Sequence, residues 1–331
     1  MNAKILMLCL IPNIVFSQTN EEILITAAKN TMQPQKLFPH GQVRRSTMKL
    51  DTNSQTIVDF FNTKITAGLM KSDFLKDPDL IYVVDTFIQK EELEYAFNVK
   101  IKSMSDLQRL FDYDEKRYST KRMYWDKTPY TVQNIAKEGG ICTDKAWFIS
   151  RILKAHGIPC VMMLKNDYSH QCVAAKLDGK WQFINKRGTG YSFRHPVSGK
   201  WLDEDSLMTS VKERKEKTAK ISPRYQGWVD LGDRFFEVID RNDWLASEAE
   251  YKRLVSIYQK DPFFWWLCGA HFLMDCLDAG QYDMFLRNAQ EAIKICNHPY
   301  VQKDIKYLIS EAKQDRRLSE DASKKSSFGI K

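Results

Sequence analysis

Between Gly139 and Arg187 the sequence changes from helical to strand periodicity, and turn residues mark both ends of each element. Gly139-Gly140-Ile141 leads into Cys142, after which Ala146, Ile149 and Leu153 fall on one helical face with Phe148 and Ile152 beside them. Gly157 supplies a C-terminal stop and Pro159 a breaker, so the helix is expected to begin at or near Cys142. Cys160 to Leu164 is a short apolar run, and Lys165 to Ser169 is polar and turn-like. His170 to Leu177 reads as a strand, Asp178-Gly179 as a tight hairpin turn, and Lys180 to Asn185 as the partner strand. A two-residue turn pairs Leu177 with Lys180. Counting outward sets Cys172 opposite Asn185 and His170 opposite Arg187, with His170, Cys172 and Asn185 on one face beside Trp181 and Phe183. Asn185 is then a diagonal neighbour of His170, within reach of a polar side chain.

The flanking sequence is expected to be helical. In residues 18–120, Ile57, Val58, Phe60, Phe61, Ile65 and Leu69 recur at helical spacing, and Pro34, Pro39 and Pro78 break the segment into pieces. Within 205–316 the periodicity predicts helices near 246–260, 262–278, 281–296 and 299–314, separated by Asp261-Pro262, Asp278-Ala279-Gly280 and His298-Pro299. Two helix pairs of about 35 residues each match tetratricopeptide-like hairpins in length and order. A plain helical bundle fits the pattern equally well. Residues 317–331, rich in Ser and Lys, are expected to form a disordered tail. Together with the core at 121–204, this is an α+β chain.

A thiol at a helix N-terminus feels the positive end of the helix dipole and unpaired backbone N–H groups, both of which favour the nucleophilic thiolate. The same N–H groups can stabilise an oxyanion, and paired glycines let a substrate approach the backbone closely. Cys142 precedes the apolar face of its helix, unlike a core cysteine, which would lie within it. The hairpin register gives His170 a polar residue, Asn185, to orient one imidazole nitrogen and leaves the other for a nucleophile. A zinc site from Cys142, His170 and Cys172, with Cys160, is the competing reading. Its spacing matches no compact zinc motif, so no metal is expected.

Gly-Gly-x-Cys at a helix start, Gly-Ile-Pro after that helix, His at a strand start and Gly-Lys-Trp followed by a polar residue resemble the core of the transglutaminase-like superfamily, over roughly Tyr124 to Arg187. That superfamily holds transglutaminases, peptide N-glycanases and microbial cysteine peptidases. The resemblance implies a papain-like α+β core with Cys142 as nucleophile, His170 as general base and Asn185 as the orienting third residue. It also implies a cleft lined by Trp125 and Tyr130, with Gly140 and Cys172 contacting substrate. Two departures stand out. The usual His-Ala-Trp is His170-Gln171-Cys172, and the usual Asp is Asn185. The activity implied is thiol-dependent amide hydrolysis or acyl transfer through an acyl-thioester on Cys142, acting on a protein or peptide such as a cell-wall peptide. The alternative is an inactive transglutaminase-like domain that binds peptides or acts as a scaffold.

Residues 1–17 read as a signal peptide, with Lys4, a broken apolar run from Ile5 to Phe16, and Val15 and Ser17 before a cut at Ser17/Gln18. The mature chain is thus expected to be secreted or periplasmic. No internal stretch reaches about 18 apolar residues, so no transmembrane span is expected. The net charge of +8 is dispersed, and in the densest run, Lys212 to Lys220, Glu213 and Glu216 interleave with the lysines. No nucleic-acid partner is expected, and without a Walker or Rossmann glycine loop no nucleotide cofactor either. Of seven cysteines, Cys268 and Cys276 are candidates for a disulfide in an oxidising compartment.

Overall fold

A computed structural model describes residues 18–31, 51, 53–85, 88–120, 125, 127, 129–166, 169–197, 201–208, 235, 238–239, 241–261, 264–265 and 269–328. The expected signal segment and most of 205–240 lie outside them. The N-terminal part is helical: α1 (Asn20–Lys29), α2 (Ser54–Thr66), a 3-10 turn (Asp73–Lys76), α3 (Ile81–Val84), α4 (Lys90–Asn98), α5 (Met104–Arg109), α6 (Glu115–Thr120) and α7 (Val132–Glu138). The central helix α8 (Cys142–Ala155) then leads into β1 (Cys160–Lys165), β2 (Gln171–Leu177), β3 (Lys180–Ile184), β4 (Tyr191–Arg194) and β5 (Trp201–Asp203). After α9 (Glu204–Met208) come α10 (Trp244–Tyr258), α11 (Ala270–Asp278), α12 (Tyr282–Ile295) and α13 (Pro299–Phe328). The chain is α+β. Among the described residues, no helix is long and apolar enough to cross a membrane.

The five strands form one sheet in the order β3-β2-β1-β4-β5, with every neighbouring pair antiparallel. The β2–β3 hairpin has the expected register, from Leu177 opposite Lys180 to Val173 opposite Ile184. Its turn places Asp178 at φ 51° and Gly179 at φ 75°. Left-handed values at both positions match the right-handed twist of a hairpin, and Asp-Gly adopts them at low cost.

Helix α8 lies between this sheet and the N-terminal helices, against β2 and β1 on one side and α4 and α7 on the other. Every residue from Thr143 to Ala155 is therefore buried. Ile149, Ile152 and Leu153 share a core with Phe61, Leu93, Val173 and Ala175. Each such side chain, fully buried, contributes about 1.5–3 kcal/mol through loss of apolar surface to water. The charged residues of α8 are compensated locally. The Lys154 ammonium pairs with Asp85, and the Arg151 guanidinium lies 4.0 Å from the Trp147 ring centroid. The opposite sheet face carries Met163, Cys172, Ala174, Tyr191 and Phe193 in a separate cluster. A third cluster holds the C-terminal helices, where Tyr251 stacks on Phe272 at 4.3 Å, and takes in Leu164 of β1.

Two expectations are corrected. The tail expected to be disordered from 317 continues as helix α13 to Phe328. No glycine or proline interrupts residues 300–328, and Lys, Glu, Gln, Arg and Ala are good helix formers. Cys276 carries a free, buried thiol, so it is not bridged to Cys268, which lies outside the described residues.

Candidate active site

Cys142 is the first residue of α8, and Ile141 is its N-cap. Ile141 has no side-chain oxygen to cap the helix, so the start is held from within its first turn. The Asp144 carboxylate accepts from the Ile141 N–H at 2.9 Å, from Arg117 Nη1 at 2.7 Å and from the Tyr130 hydroxyl at 3.1 Å. Burial alone would lower the Arg117 pKa, but the Asp144 charge and hydrogen bond outweigh it and raise the value. Trp125 packs edge-on against Tyr130 at 5.2 Å, and the Arg117 guanidinium lies 5.3 Å from its ring centroid. Trp125 and Tyr130 are 1% and 2% exposed. They support the helix start from beneath and present almost no surface to a substrate, in contrast to the cleft lining expected of them.

The two glycines act through packing. Gly140 donates its N–H to Asp112 O at 3.0 Å and accepts from the Asp114 N–H at 2.9 Å. This short parallel bridge brings Tyr113 alongside Gly140. A Cβ at Gly140 would lie 2.6 Å from both Cβ and Oδ2 of Asp144. The close approach that requires glycine here is therefore that of the carboxylate. Gly140→Ala is expected to destabilise the chain by about 1–3 kcal/mol through overpacking, read as a lower midpoint in urea.

The Cys142 thiol is half-buried and free. Burial pushes its pKa up and the Asp144 charge adds to this, while the Gln171 N–H and the hydroxyl and N–H of Thr143 pull it down. The net direction is upward, the reverse of what the helix dipole alone suggests. Gln171 follows His170, so the sulfur faces the start of β2. His170 is 5% exposed, and its Nε2 lies 2.8 Å from the main-chain carbonyl of Asn185. A carbonyl only accepts, so Nε2 carries a proton and Nδ1 is the ring nitrogen turned away from Asn185.

The expected role for Asn185 changes in one respect. The residue has φ 64° and ends β3, so it leaves the strand register and offers His170 its carbonyl. Its side-chain amide lies against the Tyr113 hydroxyl. Cys172 is buried on the sheet face away from α8, and burial pushes its thiol up to about 12. Cys160 lies on the α8 side, donates to Ser150 O at 3.3 Å and is likewise pushed up to about 12 by burial. The sheet thus separates Cys160 from Cys172, while Cys142 lies near enough to Cys172 for their charges to interact. Among the described residues, no group of three or more His, Cys, Asp or Glu side chains could hold a metal ion.

The chain matches no family model, no curated protein and no solved structure in comparisons with each. The site therefore stands on its own geometry.

Near the thiol, Tyr113 and Lys145 carried no motif in the sequence, whereas Lys186 and Arg187, which follow Asn185 directly, read as a charged strand end or as a pair that could favour an anionic substrate. Tyr113 reaches the site through its bridge to Gly140; burial raises its pKa, and the Cys142 charge adds to the rise. Lys145 lies on α8, with its ammonium 5.3 Å from the Tyr113 ring centroid. Arg187 follows the Asn185 turn, and its charge is felt at both Tyr113 and Lys145. Lys186, which precedes Arg187, is held by Glu204 at 2.8 Å and lies over the Phe183 ring at 3.9 Å.

Proposed function

We propose that this chain is a thiol-dependent amide hydrolase of transglutaminase-like type, in which Cys142 forms an acyl-thioester. The observation that carries this reading is the His170 imidazole, whose Nε2 proton is fixed on the Asn185 carbonyl at 2.8 Å beside the strand start that the Cys142 sulfur faces. In the first step Nδ1 takes the thiol proton, and sulfur attacks the amide carbonyl carbon. The tetrahedral intermediate collapses as the C–N bond breaks, and the imidazolium returns the proton to the leaving amine. Water, deprotonated by the same nitrogen, then displaces sulfur to give a carboxylic acid. A lysine amine in place of water would give transamidation. The raised thiol requires the imidazole to act as a base, since little thiolate forms unaided at neutral pH. The substrate class proposed is a protein or peptide, cell-wall peptides included, met outside the cytoplasm after export.

The same raised thiol favours a second reading, an inactive domain that retains the core and binds peptides. A hydrolysis screen on peptides and cell-wall fragments separates the two when the natural chain and Cys142→Ala are run side by side. The enzyme reading predicts turnover by the natural chain and none by the folded variant. Equal turnover by both would overturn the assignment of Cys142.

A further inference from the structure

We infer that Lys145, Arg187 and Tyr113 form a subsite beside Cys142 for a carboxylate of the substrate. This rests on the reading of Cys142 as nucleophile and adds a substrate charge to it.

Three lysines are buried among the described residues: Lys64, Lys145 and Lys154. Lys64 pairs with Glu94 at 2.6 Å and Lys154 with Asp85. Lys145 is 7% exposed, and among the described residues no ion pair or hydrogen bond joins its ammonium to another group. Its neighbours are the rings of Phe111 at 5.6 Å and Tyr113 at 5.3 Å. Ring faces attract a cation only weakly compared with a carboxylate, and burial of the Lys145 side chain partly desolvates its ammonium, which lowers its pKa. A bound anion would offset that partial desolvation.

A second cation, Arg187, lies two residues beyond Asn185, whose side-chain amide lies against the Tyr113 hydroxyl. The Arg187 main chain is pinned on both sides, its N–H 3.0 Å from the Tyr191 hydroxyl and its carbonyl accepting from that hydroxyl at 3.0 Å. Its side chain is exposed, and its positive charge opposes that of Lys145. Of the carboxylates around the thiol, Asp144 is taken by Arg117 at 2.7 Å and Glu204 by Lys186 at 2.8 Å. Two like charges thus converge near one tyrosine, and that tyrosine also senses the Cys142 sulfur. Lys145 follows Cys142 by three residues, which puts both on adjoining parts of one helical face. A planar carboxylate matches this set: the guanidinium fork and the ammonium donate to its oxygens, and the phenol can add a third donor.

Iodoacetate and iodoacetamide test the subsite without any natural substrate. They alkylate a thiolate in the same way and differ by one carboxylate. The ratio of their rates at one cysteine therefore cancels that cysteine's thiolate fraction. Rates at Cys142 are followed by site-resolved mass spectrometry on the full chain, with a small free thiol as reference. The subsite predicts that the iodoacetate-to-iodoacetamide ratio at Cys142 exceeds the reference by about tenfold. Lys145→Met and Arg187→Gln should each return it towards the reference. Arg187 is exposed, so its variant keeps the test valid if Lys145→Met does not fold. A ratio at or below the reference in the natural chain, with Cys142 still labelled by iodoacetamide, overturns the subsite and leaves the nucleophile standing. No labelling by either reagent overturns both. Protection of Cys142 from iodoacetamide by peptides then identifies the source of the carboxylate. Stronger protection by a peptide with a free C-terminus assigns a chain end, and stronger protection by an amidated peptide with an internal Glu assigns a side chain. Equal protection by a fully neutral peptide would count against the subsite.

Discussion

Asp144→Ala is expected to cost the chain about 3–5 kcal/mol of stability, the range for removing one partner of a buried ion pair. The pair qualifies, because the side chains of Arg117 and Asp144 are each 1% exposed and 2.7 Å apart. The substitution removes the nearest counter-charge of the buried guanidinium and the acceptor of the Ile141 N–H and the Tyr130 hydroxyl. Asp144→Asn is expected to be little better, since an amide retains some hydrogen bonding but removes the charge nearest the Arg117 guanidinium. Urea denaturation of both variants measures this. A loss under about 1 kcal/mol, as for an exposed salt bridge, would mean that the cluster does not anchor the start of α8.

The second large effect concerns catalysis. His170→Ala is expected to lower kcat by about 10²–10⁴-fold on any substrate the natural chain hydrolyses, the usual contribution of a positioned general base. KM should change little, because the imidazole acts on the proton in flight. Removing the ring also leaves the Asn185 carbonyl without its donor, which adds a stability cost of about 1–3 kcal/mol. Denaturation measured alongside kinetics keeps the two effects apart. A variant that is fully folded with kcat unchanged would exclude His170 from the reaction.

The parts of the fold legible in the sequence are those set by local signals. The start of α8 followed from glycines before Cys142 and an apolar face after it. The β2–β3 register followed from one Asp-Gly turn, because a two-residue hairpin leaves no freedom in the pairing. The features that escaped depend on contacts far apart in sequence or on one backbone angle. Asn185 continues the strand pattern by composition, yet its left-handed φ of 64° ends the strand and exchanges carbonyl for amide at His170. Trp125 and Tyr130 could line a cleft or fill a core, and only the Arg117–Asp144 pair above them shows which. Tyr113 reaches the thiol by a bridge to Gly140 that no periodicity announces. Lys145 sits in a helix whose other charged residues have polar partners, Asp144 with Arg117, Arg151 with the Asp85 carbonyl and Lys154 with the Asp85 carboxylate, so its purely aromatic surroundings emerge only from the packing.

The proposed pairing of Cys142 with His170 carries the enzymatic reading. The most direct test follows alkylation of Cys142 by iodoacetamide against pH, in the natural chain and in His170→Ala. Burial holds the isolated thiol above its ordinary range, so without the imidazole the rate should rise only under alkaline conditions. With it, the natural chain should react much faster at neutral pH than the buried cysteines, and lose that advantage in the variant. Two superimposable profiles, both rising only above the ordinary thiol range, would contradict the pair and leave a peptide-binding domain that keeps the core without its chemistry.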